Sequence, residues 1–428
     1  MNILIKNVMI VTMDYNKEVI AKGYVFIKGN LIQEVAEGEF LGNTEGIKII
    51  EGAGYCVLPG LINCHTHLAM TLLRGYGEGL PLMKWLNEKI WPMEARFKEE
   101  HIRVGSNLAL VEMLRSGTTT FNDMYFMQDV VKNCAEDFNV RAVLGFPIMG
   151  EAWETQLEEY LKSIKKINAD KNEMCKAMLS PHSAYTLNEE ALRKIAKAAK
   201  EYNCGIHIHI SETLEEQNII KERYNKTPCE LLLDTGTFEV NTIAAHCVYL
   251  SNEDMEIIKS QGVNPVYNPQ SNMKLASGTA KVIDMLNKNI NVCLGTDGAS
   301  SNNNLNMFGE METGALLQKL YYKDAVALSG EEMLKLATLN GAKALGFNNL
   351  GKIKNGYLAD IIMLNLNKPS MTPIHDIHSN IVFSANGSEV EYVIINGEIL
   401  MEKGEFTTID EEKVIYEANK IVMDLKIK

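Results

Sequence analysis

The chain contains no Cys-x-x-Cys, although its 428 residues include eight cysteines. They are Cys56, Cys64, Cys134, Cys175, Cys204, Cys229, Cys247 and Cys293, scattered without the spacing of a framework. Neither a thiolate zinc site nor a disulfide scaffold is suggested, and the eight read as reduced, small core residues. There is also no run of about eighteen apolar residues, which a membrane-spanning helix needs. The N-terminal stretch carries Lys6 and Asp14 where a signal peptide needs an unbroken apolar segment. A cytoplasmic protein with no membrane partner is the expectation. Positive charge is in deficit, since 42 Lys and Arg against 55 Asp and Glu leave a formal net charge of -13. A nucleic-acid partner needs clustered cations, so the balance argues against one and points to a small-molecule ligand. No internal repeat and no low-complexity linker divides the chain.

What the chain does have is a 46% hydrophobic content, enough for one large core. Near the N-terminus, short alternating runs at 2–5, 23–27 and 46–50 are parted by turn signals such as Lys28-Gly29-Asn30. The same texture returns at 359–364 and 390–395, where Asn396-Gly397 is a hairpin signal. Two β segments bracketing a long middle predict one small β domain built from both ends. Between them lie eight apolar runs, at 55–58, 117–121, 140–144, 175–179, 205–210, 242–245, 263–267 and 291–294. Helical patterns such as 188–202 and 331–345 fall between or after them. That alternation is the signature of βα units, and eight of them predict an α/β chain with a (β/α)8 barrel of the TIM type. The expected division is 1–57 for the N-terminal part of a composite β-sandwich, 58–349 for the barrel, and 350–428 for the C-terminal part with a terminal helix.

In such barrels chemistry sits at the C-terminal ends of the strands. The first strand leads into Asn63-Cys64-His65-Thr66-His67, and two histidines at i and i+2 on a strand share one face, within reach of one ion. Alone, this pair is weak. The fifth strand ends in His207-Ile208-His209-Ile210-Ser211-Glu212, the sixth in Ala245-His246-Cys247, the eighth in Gly295-Thr296-Asp297-Gly298. Imidazole and carboxylate groups are costly inside a barrel unless paired or ligated, so packing does not explain all three at once. Nitrogen and oxygen donors without thiolate suit a catalytic zinc or similar divalent ion that keeps a position open for water.

These motifs, with Pro59-Gly60-Leu61-Ile62 before the first pair, resemble the amidohydrolase superfamily over nearly the whole chain. The resemblance implies a metal-dependent barrel with a β-sandwich from the two ends. In its deaminase branch it implies one divalent ion, zinc, held by His65, His67, His209 and Asp297, with no carbamylated lysine. Narrower features are similar to the 5'-methylthioadenosine/S-adenosylhomocysteine deaminases: 68–75, then Trp85-Leu86 and Ile90-Trp91-Pro92-Met93-Glu94. They imply a nucleoside substrate whose ribose hydroxyls are held by Glu94, a pocket lined by Trp85, and contacts from His182 and Ser301. One departure stands out. Family members place arginines near the substrate tail after the third strand, and here no Arg occurs between Arg141 and Arg193. Lys162 lies in that interval, and S-adenosylhomocysteine fits less well than methylthioadenosine.

The chemistry expected is hydrolytic deamination. Glu212, three residues past His209 at the same strand end, is placed to give a proton to the ring nitrogen N1. Asp297 takes the proton of the attacking water, and His246 orients that water or the new oxygen. His207 is expected to pack or to support a ligand. Two other readings stay open: a deaminase or chlorohydrolase of guanine, cytosine or a triazine, and a barrel serving as a non-catalytic scaffold. A homo-oligomer is a further expectation.

Overall fold

The computed structural model describes residues 1–14, 19–170 and 174–425. Eight parallel strands form the barrel: β1 Leu61–His67, β2 Thr118–Met124, β3 Arg141–Ile148, β4 Cys175–Pro181, β5 Ile206–Ile210, β6 Thr242–His246, β7 Asn264–Tyr267, and the interrupted β8, Cys293–Leu294 with Asp297–Gly298. Each pairs with its neighbour in sequence. The first half of β8 pairs with β7 and the second half with β1, which closes the ring. At the break, Gly295 lets the strands approach: a Cβ there would lie 2.8 Å from the backbone nitrogen of His65. Both faces of the strands are covered: β3 reads as a nearly continuous apolar run after Arg141, and even β2, rich in threonine, is buried along its whole length.

The covering helices follow the helical period. In Glu189–Glu201, Leu192, Ile195 and Ala199 face inward, and Asn188 caps the N-terminus by accepting from the backbone of Ala191. The single helix expected at 331–345 is instead two, Gly330–Ala337 and Leu339–Ala344, broken at Thr338. The second piece packs so closely on β1 that a Cβ at Gly341 would meet Cys64 Sγ at 2.9 Å.

The ends of the chain build a second sheet of nine strands. Residues from the N-terminal side supply Asn2–Val11, Val19–Lys28, Leu31–Glu37, Lys48–Glu51 and Tyr55–Pro59; the C-terminal side supplies Ile361–Asn365, Val390–Ile395, Glu398–Glu402 and Glu405–Phe406. The two groups join where Ile361–Asn365 runs antiparallel to Tyr55–Pro59. This corrects one expectation, because run 55–58 is not the first barrel strand but belongs to the terminal sheet. The physical reason is Gly60. Its amide donates to the Asp360 carbonyl in one sheet while the next amide, Leu61, donates to Gly117 in the other. A Cβ at Gly60 would lie 2.1 Å from Thr119 Oγ1, so only glycine fits this crossing.

Alternation along Ile361–Asn365 sorts its side chains. Ile361 and Met363 join the core of the terminal sheet, with Ile3, Ile5 and Val25. Ile362 and Leu364 point the other way and join the barrel's core. A buried ion pair stitches the two sheets, Arg141 Nε donating to Asp360 Oδ2 at 2.8 Å and Nη2 to Oδ1 at 3.1 Å. A terminal helix follows, Glu411–Asp424. Among the described residues, no helix is long and apolar enough to cross a membrane.

Candidate active site

At the C-terminal mouth, β1 presents His65 and His67, β5 His209, β6 His246 and β8 Asp297. The Oδ1 atom of Asp297 lies 3.1 Å from His67 Nε2 and 3.3 Å from His65 Nε2. Candidate ligand atoms of His65, His67 and Asp297, and likewise of His65, His209 and His246, lie within 4.8 Å of one another. Three of the imidazoles are fixed through their other nitrogen. His67 Nδ1 donates to the Met124 carbonyl at 2.5 Å, His209 Nδ1 donates to the His182 carbonyl at 2.8 Å, and His65 Nδ1 pairs with His207 Nε2 at 2.9 Å. Such partners set the tautomer and turn Nε2 toward the centre. The backbone is bent to the task, since Ser211, His246 and Asp297 all hold left-handed φ values, +54°, +73° and +62°. Each such conformation costs on the order of 1–3 kcal/mol and persists only where the surroundings enforce it.

The donor set fits a divalent cation. His65 Nε2 is fully buried and finds no hydrogen-bond partner among the described residues, an orphan that a cation satisfies. Protonation states agree. Burial, outweighing the pull of Asp297, drops His65 to about 3, and burial with neighbouring imidazoles holds His209 well below the usual range. Burial opposes ionisation of Asp297, yet the imidazoles of His65 and His67, 3.3 and 3.1 Å from its Oδ1, keep it well below the carboxylate range. His67 is the exception. Burial lowers it, but the hydrogen bond and charge of Asp297 raise it to about 9, so it keeps a proton that a cation would displace.

Beside the donors stand two groups able to move protons. Burial, with the charge of Asp297, pushes Glu212 up to about 8, so it is protonated at neutral pH. Its Oε2 lies 3.8 Å from His246 Nε2, and Ser277 donates to Oε1 at 3.4 Å. His246, lowered to about 4 chiefly by burial, receives the Asn272 amide at Nδ1 at 3.0 Å. That contact leaves Nε2 carrying the hydrogen, a donor facing Glu212.

The cleft above, about 680 Å³ including the space open to solvent, brings together Trp85, Glu94, His182, Glu212, His246 and Ser301 with His67, His209 and Asp297. His65 lies beneath, fully buried. Glu94 is buried, accepts the Tyr125 hydroxyl at 2.6 Å and is raised by that burial. Trp85 donates to the Tyr76 carbonyl at 3.4 Å. Ser301 donates to Asp297 Oδ2 at 2.8 Å, and Ser271 donates to the same oxygen at 2.6 Å.

Several contributors escaped the reading of the sequence. Ser271 and Asn272 come just after β7, and Asp123 and Tyr125 from the end of β2; Asp123 accepts from the Leu68 amide at 2.7 Å, just beyond His67. The strand-end rule applied to those two strands would have found all four. Glu216 had no such signal. It accepts the backbone amides of Ser211 and Glu212, both at 2.9 Å, and so fixes the turn that carries Glu212.

A barrel that gathers nitrogen and oxygen donors at one mouth, with a protonated acid next to them, is the architecture of the metal-dependent hydrolases. Within that class the chain belongs to the amidohydrolase family, whose model matches residues 56–400. It is 60% identical over 426 residues to a 5-methylthioadenosine/S-adenosylhomocysteine deaminase of Clostridium tetani, covering 99% of both chains. It is 43% identical over 429 residues to a 5'-deoxyadenosine deaminase of Methanosarcina mazei, covering 99% of this chain and 98% of that one. Among solved structures, an adenosine deaminase from Xanthomonas campestris with bound zinc superimposes with a TM-score of 0.94 at 30% identity, over 100% of this chain and 99% of the other.

Proposed function

We propose that the chain deaminates an adenine nucleoside hydrolytically, 5'-methylthioadenosine or S-adenosylhomocysteine, giving the inosine-type nucleoside and ammonia. His65, His67, His209 and Asp297 hold one zinc ion in this reading. The ion, when bound, supplies a water acidic enough to attack at neutral pH. The observation that carries the choice of a nucleoside is Glu94. One oxygen of this buried carboxylate is taken by Tyr125 and the other has no protein partner among the described residues, an acceptor for the ribose hydroxyls. The relatives' names support the same substrate class.

Ser271 and Ser301 orient the Asp297 carboxylate, which takes a proton from the attacking water as the C6–O bond forms. Glu212 gives its proton to N1, so that C6 becomes tetrahedral without charge building up on the ring. His246 donates from Nε2 to the new oxygen. Asp297 then passes its proton to the amino nitrogen, the C6–N bond breaks and ammonia leaves. The hydroxyl proton on C6 returns to Glu212, which restores both carboxyl groups. Burial of Glu212, His246 and Asp297 keeps bulk water from competing for these protons. The eight free cysteines, all buried, suit a reducing cytoplasmic setting.

The test is a panel of adenosine, methylthioadenosine, S-adenosylhomocysteine and guanine incubated with zinc-loaded protein. The ultraviolet change from adenine to hypoxanthine and the release of ammonia are followed. Turnover of guanine alone would overturn the nucleoside reading, and no turnover by fully metallated protein would overturn the deaminase.

A further inference from the structure

The cleft separates by depth. The proton-moving groups Glu212, His246 and Asp297 are buried, and so is Glu94. Nearer the solvent the wall is made by the half-buried side chains of Leu82, Trp91, Phe126, Met149, Tyr185 and Leu275. Among the described residues, no lysine or arginine lines the cleft at any depth, its acidic members are Glu94, Glu212 and Asp297, and its imidazoles are His67, His182, His209 and His246, beside those carboxylates. Two cations stand behind the wall, each already engaged by the protein. Arg223 donates to the Tyr185 carbonyl at 2.9 Å, and Lys274 pairs with Glu78 at 2.9 Å.

A nucleoside with C6 at Glu212 and its ribose hydroxyls at Glu94 must turn its 5' substituent toward this remaining wall. A carboxylate there loses water against apolar side chains and meets no cation in return. A methylthio group gains there, because its methyl is removed from water and its sulfur meets aromatic rings. Resting on the adenine-nucleoside reading above, we infer that this outer wall is an uncharged 5' subsite. It favours methylthioadenosine and 5'-deoxyadenosine over the zwitterionic tail of S-adenosylhomocysteine.

The experiment compares kcat/KM of the zinc-loaded protein for methylthioadenosine, for 5'-butylthioadenosine, whose tail is long but uncharged, and for S-adenosylhomocysteine. The expected result is a value for S-adenosylhomocysteine at least about tenfold below both of the others, the loss of roughly one charge-assisted contact. In Met149→Arg, which offers the missing cation, the gap narrows. Equal or better use of S-adenosylhomocysteine by the wild type overturns the inference. So does an equal loss with the butylthio compound, which would show that length and not charge is read. An unchanged ratio in Met149→Arg removes the tail from this wall. Failure of the parent reading looks different, because methylthioadenosine itself is then not deaminated.

Discussion

The Tyr125 hydroxyl donates to Oε1 of Glu94 at 2.6 Å, inside a cleft where both side chains are buried. The bond spans β2's end and the helical segment carrying Trp85 and Trp91, so it fixes the carboxylate before any ligand arrives. Glu94→Ala is therefore expected to cost about 1.5–3 kcal/mol, roughly ten- to a hundredfold in kcat/KM, on substrates with both ribose hydroxyls. On the 2',3'-dideoxy counterparts the loss should vanish. Steady-state kinetics on matched pairs checks this, and equal losses on both would make Glu94 a support of the fold.

Glu212→Gln should keep its metal and lose turnover by roughly 10²–10⁴-fold, the usual contribution of a positioned acid. The pH dependence carries a sign. Burial, with Asp297, raises the Glu212 carboxyl from 4.5 to about 8, so the acid is loaded below that value and emptied above it. Wild-type kcat/KM should fall as pH rises through about 8. That alkaline limb should be absent from the residual activity of the variant. Metal analysis beside the pH profile separates loss of the acid from loss of the ion.

Chelation should abolish turnover and added zinc restore it. Proton release is the more specific sign. His67, although lowered by burial, is held up at about 9 by Asp297, so below that pH the metal-free protein must lose a proton to bind the ion. Affinity should rise about tenfold per pH unit between 6.5 and 8.5, with at least one proton released per ion. Competition against a chelating dye at three pH values measures the slope, and a flat profile would contradict this account of His67.

Asp360→Ala should destabilise the fold by about 3–5 kcal/mol, because it leaves the Arg141 guanidinium buried without its carboxylate. The pair lies at the start of β3, at the opposite end of the strand from the mouth. Per folded, metal-loaded molecule, kcat/KM should stay within about twofold of wild type. Replacing both partners, Arg141→Met with Asp360→Leu, should cost much less in urea unfolding than either single change.

The cluster at the mouth was legible in the sequence because a parallel barrel makes position along a strand equivalent to depth in the barrel. His65, His67, His209, His246 and Asp297 lie at the ends of apolar runs, and the rule that strand ends share one mouth predicts the cluster that the structure shows. The run 55–58 was misplaced for the same reason, since a fully apolar run does not say which sheet it enters. The deciding feature is a contact, Gly60 against Thr119, which has no local signature. Helix 331–345 failed similarly: its period is continuous, and the break at Thr338 answers to packing on β1. Glu216 was hidden because a carboxylate on an otherwise ordinary helix gives no sign that two distant backbone amides will claim it.

The joining of Tyr55–Pro59 to Ile361–Asn365 has a consequence in time. During synthesis the first strands emerge with one edge unclaimed, and the partner registered against them lies some 300 residues further on. At about 5–20 residues per second, the ribosome takes roughly 15–60 s to deliver it. Throughout that interval an apolar strand edge is open to any other chain nearby. The barrel, whose neighbours arrive in order, can close first and hold Tyr55–Pro59 in place through Gly60 until the late strands dock. Newborn chains truncated before residue 361 should then be the ones that aggregate, whereas supplying 350–428 as a separate peptide should rescue them.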